Sequence, residues 1–146
     1  MTAGSLCSRV VVTASPLETV RAAARRMAEH DLGTLIVAEP AGNQAIGILT
    51  DRDIVIRCVA GGADPDTMPV ARVMSTPVRT VDENAAVEDA ISTMAAAGTR
   101  RLVVTAAGNA RAMVGVLSLD DVLDLLSLDA HGIGRLVEKQ NPRVPM

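Results

Sequence analysis

The amino-acid sequence predicts an α/β (α+β) fold in which two pseudo-symmetric β-α-β-β-α units pack together as one body. An internal repeat is the first observation behind this prediction: a shift of 67 residues brings Met27 onto Met94, and a shift of 68 brings Asp53 onto Asp121. The second is that short aliphatic runs alternate, in each unit, with segments whose apolar residues recur at helical spacing. Because one unit is too small to bury its own sheet, we expect a single globule with two related clefts.

The composition indicates a folded chain and argues against nucleic acid as a partner. Of the 146 residues, 49% are hydrophobic, which is a higher aliphatic content than disordered chains have. The sequence has no Phe, Tyr or Trp, so a bound base would have to lie against aliphatic side chains and backbone instead of an aromatic ring. The net charge of −3 provides no basic field to attract a phosphate polymer.

The first unit is predicted to begin with a short strand at residues 10–12, a run of three valines. In the helix that follows, Ser15 is the expected cap, Pro16 fits the first turn and Glu18 completes a capping box. Gly33 is predicted to end this helix. The apolar positions at helical spacing are Leu17, Val20, Ala24 and Met27.

Two strands and a second helix complete the first unit. The apolar runs at 35–37 and 45–50 are the predicted strands, and the turn-rich residues 40–43 join them. The helix is expected over residues 51–60, and the glycine pair at 61–62 stops it.

The second unit repeats this plan. A strand is predicted at residues 78–81, and Asp82 is expected to cap the following helix. Strands at 102–104 and 113–117 flank a turn at 107–109. The apolar helical positions are Val87, Ile91 and Met94 in the first helix and Val122, Leu123 and Leu126 in the second.

These elements divide the chain into a first repeat at residues 8–62 and a second repeat at residues 74–128. Between them lies a linker at 63–73, which is rich in proline and aspartate before a short helical turn near its end. The remaining residues, 129–146, form a C-terminal tail.

The sequence shows no targeting or membrane segment. Residues 1–8 lack a charged region followed by a long apolar run, and the apolar runs elsewhere are too short to span a bilayer. The two cysteines, Cys7 and Cys58, have no metal-like spacing and indicate no disulfide framework. We therefore expect a cytoplasmic protein that does not bind membranes.

The junctions between the last strand and the last helix of each unit share one pattern. Both Gly47–Asp53 and Gly115–Asp121 read as Gly, two apolar residues, a hydroxyl residue, two variable positions and Asp. The Asp falls in the first helical turn, where a carboxylate can bind two adjacent hydroxyls, such as those of a ribose, beside free backbone N–H groups. The same spacing is that of a helix-capping box, so an isolated instance would indicate capping alone. Two instances at equivalent positions of a repeat favour a binding role.

On these motifs the chain resembles a pair of CBS domains, often called a Bateman module, over residues 8–128. The passages 27–37 and 94–104 also look like this family. The resemblance implies that clefts between the repeats bind an adenosine ligand such as AMP, ADP, ATP or S-adenosylmethionine. It also implies a homodimer that associates through helices.

The resemblance further implies which residues would meet the ligand. Those expected at the ribose are Thr50 and Asp53 in one cleft and Ser118 and Asp121 in the other. Those expected at the base, through their backbone, are Val12, Thr13 and Ala14 in one unit and Thr76, Pro77 and Val78 in the other. It implies no catalytic residue, no metal ligand and no cofactor beyond the nucleotide effector.

The phosphate group of such a ligand needs cations, and the two units differ in this respect. Arg100 and Arg101 precede the strand at 102–104, where the family often has basic residues, whereas the first repeat has Gly33 and Thr34 there. Guanidinium groups match phosphate oxygens well, so the two clefts are expected to be unequal for phosphate. The alternative is that the two arginines are a solvated loop pair.

Other polar residues favour no catalytic role. Arg57 lies four residues after Asp53 and is expected to pair with it along the helix. His30 and His131 have no partner at metal-ligand or catalytic spacing. The sequence contains no phosphate-binding loop, dinucleotide fingerprint or nucleophile elbow.

Three functional hypotheses follow. The first is a ligand-sensing module in which an adenine nucleotide favours one arrangement of the repeats or of a dimer and signals to a separate effector protein. The second is a structural module that keeps the fold and dimerises without a ligand. The third, a small enzyme, would require a nucleophile–base pair, which the sequence does not offer.

Overall fold

The computed structural model describes residues 1–41 and 43–127 of the chain, so the predicted tail at 129–146 lies outside the described residues. In chain order the elements are α1 (Ala3–Leu6), β1 (Thr13–Ala14), α2 (Val20–His30), β2 (Thr34–Ala38), β3 (Ala45–Thr50), α3 (Asp51–Asp53, continued by a π-helical turn over Ile54–Val59), a 3₁₀ turn (Val70–Arg72), β4 (Thr80–Asp82), α4 (Val87–Ala97), β5 (Arg101–Ala106), β6 (Asn109–Ser118) and α5 (119–127). From β1 onwards, each half follows the predicted β-α-β-β-α order, which confirms the pseudo-symmetric fold.

Each half is built on a three-stranded sheet. The middle strand, β2 or β5, lies parallel to the first strand of its half and antiparallel to the third. The equivalent pairs Val37–Gly47 and Val104–Gly115 show that the two sheets share one register. Both faces of the middle strands are covered, so these strands are continuous apolar runs and do not alternate.

Two hydrophobic cores lie under the two sheets. Leu35 and Leu49 are fully buried in the first core, and Leu102 and Leu117 take the equivalent places in the second. Met27 and Met94, the methionines that the repeat makes equivalent, are also buried. Some of the apolar positions noted in the helical segments are a third or more exposed: Leu17, Ile91, Leu123 and Leu126.

The segment that leads into each half packs on the other half. Helix α1 lies against the second sheet, where the N–H groups of Ala3 and Gly4 donate to carbonyl oxygens of residues 83–85 at 2.8 Å. Ala3 is fully buried in the second core. The 3₁₀ turn does the same for the first half, since Val70 and Val73 are buried in the first core. The core of each half is therefore completed by residues from the segment that leads into the other half.

The motif glycines allow these leading segments, residues 3–8 and 70–75, to approach the sheets. Because each crosses onto the sheet of the other half, they are called the crossing segments below. Ser8 pairs with Val116 on β6, and Ser75 pairs with Ile48 on β3. A Cβ at Gly115 would lie 2.5 Å from the carbonyl oxygen of Ser8, which is closer than a real Cβ contact. At the equivalent Gly47, a Cβ would lie 2.5 Å from Sδ of Met74. Packing of the crossing segments thus accounts for glycine in both junctions.

The predicted start of α2 is wrong. The helix begins at Val20, and Thr19 caps it by accepting a hydrogen bond from the N–H of Ala22 at 3.2 Å. Residues 15–18 form a turn instead, because the Glu18 carboxylate accepts the N–H of Ser15 at 2.7 Å. The expected capping interaction exists, but it closes this turn and does not start the helix.

Helix α2 ends at His30 and is capped by Asp31, so the predicted end at Gly33 is wrong. Asp31 adopts the left-handed conformation with φ of 52°, which a short polar side chain tolerates better than most. In the second half Gly98 takes the equivalent position with φ of 64°. A glycine signal was therefore present in only one of the two repeats.

The second half departs from prediction at its first strand and helix. Strand β4 begins at Thr80, and α4 begins at Val87 without a side-chain cap. Asp82 instead accepts the N–H groups of Asn84 at 2.8 Å and of Gly108 at 3.3 Å. In the first half, β1 likewise begins later than expected, at Thr13, because residues 10–12 form no strand ladder.

Candidate functional site

Two clefts lie beside the strand–helix junctions, and each uses residues of both halves. The first cleft, about 300 Å³ in volume, is lined by Thr50 of the first half and by Thr76, Pro77 and Arg79 of the second. The second cleft, about 230 Å³, is lined by Ser118 and Asp121 of the second half together with residues 10–12 and 32–34 of the first. These volumes are at or below the small end of the range for small-molecule sites, about 300–1,000 Å³.

The first junction forms a complete capping box. Oγ1 of Thr50 accepts the N–H of Asp53 at 3.0 Å, and the Asp53 carboxylate accepts the N–H of Thr50 at 3.0 Å. The same carboxylate accepts the Ser75 hydroxyl at 3.1 and 3.3 Å and lies 4.0 Å from Nε of Arg57. Only 12% of the Asp53 side chain is exposed, so its oxygens are largely used within the protein.

The second junction has the same box but leaves its carboxylate more open. The hydroxyl of Ser118 accepts the N–H of Asp121 at 3.1 Å, and the Asp121 carboxylate accepts the N–H of Ser118 at 3.0 Å. No other hydrogen bond or ion pair joins this carboxylate to the part of the chain that the structure describes. Asp121 is half-buried and lines the second cleft, as a group that binds a ligand must.

One serine produces this difference. Ser75 and Ser8 are equivalent residues of the crossing segments, and both pair with the third strand of a sheet. The hydroxyl of Ser75 donates to Asp53, whereas the hydroxyl of Ser8 donates to the carbonyl oxygen of Val10 at 3.2 Å. Asp121 therefore has no counterpart to the bond that Ser75 makes with Asp53.

The residues expected at the base are distributed differently from the prediction. Thr76 and Pro77 line the first cleft and Val12 lines the second, but half-buried Val78 lines neither. Thr13 and Ala14 pair with β2 and line a separate cavity of about 420 Å³.

That separate cavity is polar and already contains an ion pair. Its Arg26 donates to the carbonyl oxygen of Thr13 at 2.9 Å and lies 2.9 Å from the Glu18 carboxylate. The structure therefore does not bring Thr13 and Ala14 together with Thr50, Asp53, Ser118 or Asp121.

The adjacent arginines of the second repeat take different positions. Arg100 donates to the Asp120 carboxylate at 3.2 Å, both side chains are 66% exposed, and Arg100 lines neither cleft. Arg101 is half-buried and lines both clefts. Arg57 pairs with Asp53 as predicted and also donates to the carbonyl oxygen of Met74 at 2.9 Å.

Sequence reasoning missed two groups of lining residues. Arg79 adds a second cation to the first cleft, and Val10 and Val11 supply apolar surface to the second. The repeat offset itself was the signal: a shift of 67 aligns residues 9–11 with 76–78 and aligns Val12 with Arg79. Applying that offset to Thr76 and Pro77 leads to Arg9 and Val10 and not to Thr13 and Ala14.

Two further findings concern chemistry that the clefts do not use. Burial raises the pKa of the Cys7 thiol above its ordinary value, so the thiol stays protonated and weakly nucleophilic at neutral pH. Within residues 1–41 and 43–127, no group of three or more His, Cys, Asp and Glu residues is placed to hold a metal ion. His30 lies in the last turn of α2, and His131 lies outside the described residues.

None of the helices described is long and apolar enough to cross a membrane.

Comparison with known proteins gives consistent matches to one family. The model of the CBS domain matches residues 3–59 and again residues 70–128. An uncharacterized protein of Methanopyrus kandleri, MK0525, is 34% identical over 122 residues, covering 84% of this chain. The chain spans 61% of the length of that protein. Hypoxic response protein 1 of Mycobacterium tuberculosis is 32% identical over 137 residues, which cover 94% of this chain and 92% of that protein.

Solved structures agree with these matches. The crystal structure of Hypoxic Response Protein I with two coordinated zinc ions has a TM-score of 0.74 and 31% identity, covering 85% of this chain and 98% of that one. The CBS domain pair of protein MJ0100, in complex with 5′-methylthioadenosine and S-adenosyl-L-methionine, has a TM-score of 0.74 over 88% of this chain and 98% of that one. At 20% identity this second likeness shows the fold alone.

Proposed function

The chain belongs to the CBS-domain family and carries two CBS domains in tandem, and from that premise we propose that it is a regulatory module that binds an adenine nucleotide in its second cleft. The observation that carries the proposal is that an open carboxylate, Asp121, and a guanidinium, Arg101, line one cleft together with aliphatic side chains. In this proposal Asp121 accepts hydrogen bonds from the ribose hydroxyls, with Ser118 beside it. Arg101 binds phosphate oxygens.

The apolar wall suits the base of such a ligand. Val10, Val12, Leu32 and Ile36 line the second cleft, and a purine can lie against them even though the chain has no aromatic ring. The same walls accept the adenosine part of AMP, ADP, ATP or S-adenosylmethionine. The protein MJ0100, which has the same fold, was solved with two adenosine compounds, and that supports this class of ligand.

The regulatory role follows from binding without an evident reaction. The second cleft has a carboxylate engaged with a backbone N–H group and a hydroxyl that caps a helix. Within the described part of the chain, its guanidinium has no ion-pair partner and it contains no nucleophile activated by a base. A ligand that bridges the two halves favours the arrangement in which both halves contact it, and that change is the signal passed to a separate effector protein.

Calorimetric titration of the nucleotide-stripped protein with AMP, ADP and ATP tests the proposal. We expect saturable binding that Asp121→Ala weakens by about tenfold or more, since a hydrogen bond to a charged group contributes about 1.5–3 kcal/mol. Asp120→Ala is the matched control: it removes a carboxylate one position away that is exposed and paired with Arg100 outside the cleft. We expect this control to leave the affinity unchanged within about twofold.

Flat titrations with all three nucleotides, or equal losses in the two variants, would contradict the proposal. S-adenosylmethionine is the next ligand in that case. Failure with this compound as well would favour the alternative of a dimerisation module without a ligand.

We also propose that two copies of the chain associate through their helices. Apolar side chains on the helix that follows each junction are about half exposed, and Val55 and Leu123 are equivalent by the repeat. The exposed residues are Val55, Ile56 and Val59 on the π-helical continuation of α3 and Leu123 and Leu126 on α5. Exposed apolar side chains that form a group mark association surfaces more often than exposed apolar side chains that are scattered singly.

Sedimentation velocity tests this association. Changing Val55 and Leu123 together to Lys is expected to convert a dimer to a monomer, because both copies would then bury unpaired charges. Leu17→Lys is the control, since Leu17 is 84% exposed and lies in a turn that belongs to neither helix. A wild-type protein that sediments as a monomer at high concentration would refute the association.

A further inference from the structure

Arg101 occupies a position that no other described arginine shares. It is the first residue of β5 and lines both the first and the second cleft. Thr34, its equivalent at the start of β2, lines only the second cleft. The two clefts thus share one long cationic side chain, whereas the equivalent short neutral side chain borders the second cleft alone.

The guanidinium of Arg101 is available to a ligand. Among the described residues, Arg101 makes its hydrogen bonds outside the sheet with its backbone and not with its side chain. Its N–H donates to the Thr99 hydroxyl at 3.3 Å, and its carbonyl oxygen accepts from that hydroxyl at 3.1 Å. Arg100, by contrast, is paired with Asp120, and Arg57 is bound to Asp53 and to backbone carbonyls.

The two clefts differ in how much they depend on this guanidinium. The first cleft also contains Arg79, whereas Arg101 is the one arginine or lysine among the residues described as lining the second cleft. The second cleft also contains the carboxylate of Asp121, which repels an anion. A phosphate group in the second cleft therefore has Arg101 as its cation.

We propose that Arg101 is a shared phosphate-binding residue through which occupation of one cleft weakens the other for a second phosphate-bearing ligand. The inference rests on the proposed binding of adenine nucleotides. A guanidinium that forks onto the phosphate of one ligand has its donors oriented toward that cleft. A second phosphate then lacks its cation and is repelled by the first across a short distance.

The coupling depends on charge and acts in both directions. A neutral nucleoside needs no guanidinium, so two adenosine molecules fill the clefts according to their separate affinities. Two AMP molecules compete for Arg101, and by linkage each weakens the other by the same factor. The module would then report which phosphate-bearing ligand is bound, and it would rarely hold two.

The test compares AMP with adenosine by calorimetry, with the ratio of the second to the first dissociation constant as the readout. In the wild-type protein we expect this ratio to be about fivefold or more larger for AMP than for adenosine, since two like unit charges about 4 Å apart repel each other by about 1 kcal/mol even in water. Adenosine serves as the internal reference, because it reports the difference between the two clefts that does not involve phosphate.

Two variants change the shared cation in opposite ways. Arg101→Thr, which copies the residue of the first repeat, is expected to lower the AMP ratio toward the adenosine ratio without reaching it, because Arg79 still favours phosphate in the first cleft. An AMP ratio that Arg101→Thr leaves unchanged would overturn the coupling. Thr34→Arg supplies a second guanidinium and is expected to lower the AMP ratio by strengthening the weaker site. Arg100→Thr is the control and is expected to leave both ratios unchanged, because Arg100 lies outside both clefts. Thermal unfolding of each variant checks that it is folded.

The outcomes separate the inference from the function on which it rests. Equal ratios for AMP and adenosine in the wild-type protein overturn the coupling while leaving nucleotide binding intact. An equal effect of Arg100→Thr and Arg101→Thr also overturns it. Absence of binding of both adenosine and AMP overturns the proposed function and the coupling together.

Discussion

Asp53 and Asp121 occupy equivalent positions of the repeat and close the same capping box, yet their surroundings differ. The carboxylate of Asp53 is also bound by Ser75 and lies beside Arg57, whereas that of Asp121 is half-buried and lines a cleft. The difference comes from the crossing segments and not from the motif. A repeated motif therefore specifies the helix start in both halves, while a segment from the opposite half decides whether the carboxylate is free to bind a ligand.

The largest expected effect comes from adding a Cβ at the two motif glycines, which tests whether the two crossing segments can move away equally easily. Gly115→Ala places a Cβ against the backbone oxygen of Ser8, which cannot move without breaking its pairing with Val116. We expect a loss of about 3 kcal/mol in the free energy of unfolding, at the upper end for overpacking. Gly47→Ala meets the flexible Met74 side chain first and is expected to cost less. Urea denaturation measures both, and equal losses would contradict the asymmetry.

Replacement of Asp53 should reduce the stability of the protein more than replacement of Asp121, whereas replacement of Asp121 should reduce ligand affinity more. Asp53→Ala removes a cap and also leaves the hydroxyl of Ser75 and the guanidinium of Arg57 without this partner, so we expect a loss of about 2 kcal/mol. Asp121→Ala removes the cap alone and is expected to cost about 1 kcal/mol. Chemical denaturation without ligand checks this order, and a larger loss for Asp121→Ala would show that its carboxylate is the more heavily used.

Ser75→Ala sharpens the comparison by making the first junction resemble the second. Loss of the bond to Asp53 is expected to cost about 1 kcal/mol of stability. It also frees carboxylate oxygens beside the first cleft, so AMP affinity there should rise. Ser8→Ala is the matched control for the first cleft, since Ser8 borders the second cleft and, within the described residues, its hydroxyl donates only to the carbonyl oxygen of Val10. An unchanged affinity in Ser75→Ala would mean that Ser75 does not control the availability of Asp53.

The smallest effect concerns Cys7, whose equivalent in the other crossing segment, Met74, does not titrate. Because burial raises the pKa of Cys7 in the folded state, the unfolded chain loses this proton first as pH rises. The contribution to stability is fully present below the pKa of the unfolded thiol and declines as pH approaches the folded value. The difference in unfolding free energy between wild type and Cys7→Ala should therefore shrink at alkaline pH. A difference that is constant across this range would contradict the shift.

Local patterns predicted the fold well, and their failures have physical causes. Strand β3 was predicted at its observed bounds, because an apolar run between a turn and a capping box has few alternatives. The start of α2 was missed because two capping signals follow one another, and hydrogen bonding of Glu18 to Ser15 closes a turn before Thr19 caps the helix. Leu17 is exposed because it lies in this turn, before the helix begins.

The candidate site was predictable only in part. The sequence identifies both capping boxes and the arginine pair, since these are local in the chain. It does not reveal that Ser75 reaches Asp53 or that Arg101 lies between two clefts, because both depend on how one half packs against the other. The leading segments were likewise assigned no partner, although α1 and the 3₁₀ turn each bury side chains in the opposite core.

The exchange of those leading segments also bears on dissection of the chain. A cut in the loop at residues 61–66 separates each core from a piece of itself: Ala3 would leave with one fragment, and Val70 and Val73 with the other. Neither fragment can then complete its own hydrophobic core, but each carries the buried segment that the core of the other fragment lacks. The two fragments should therefore reassemble by complementation when mixed, and the intact chain should melt in a single transition.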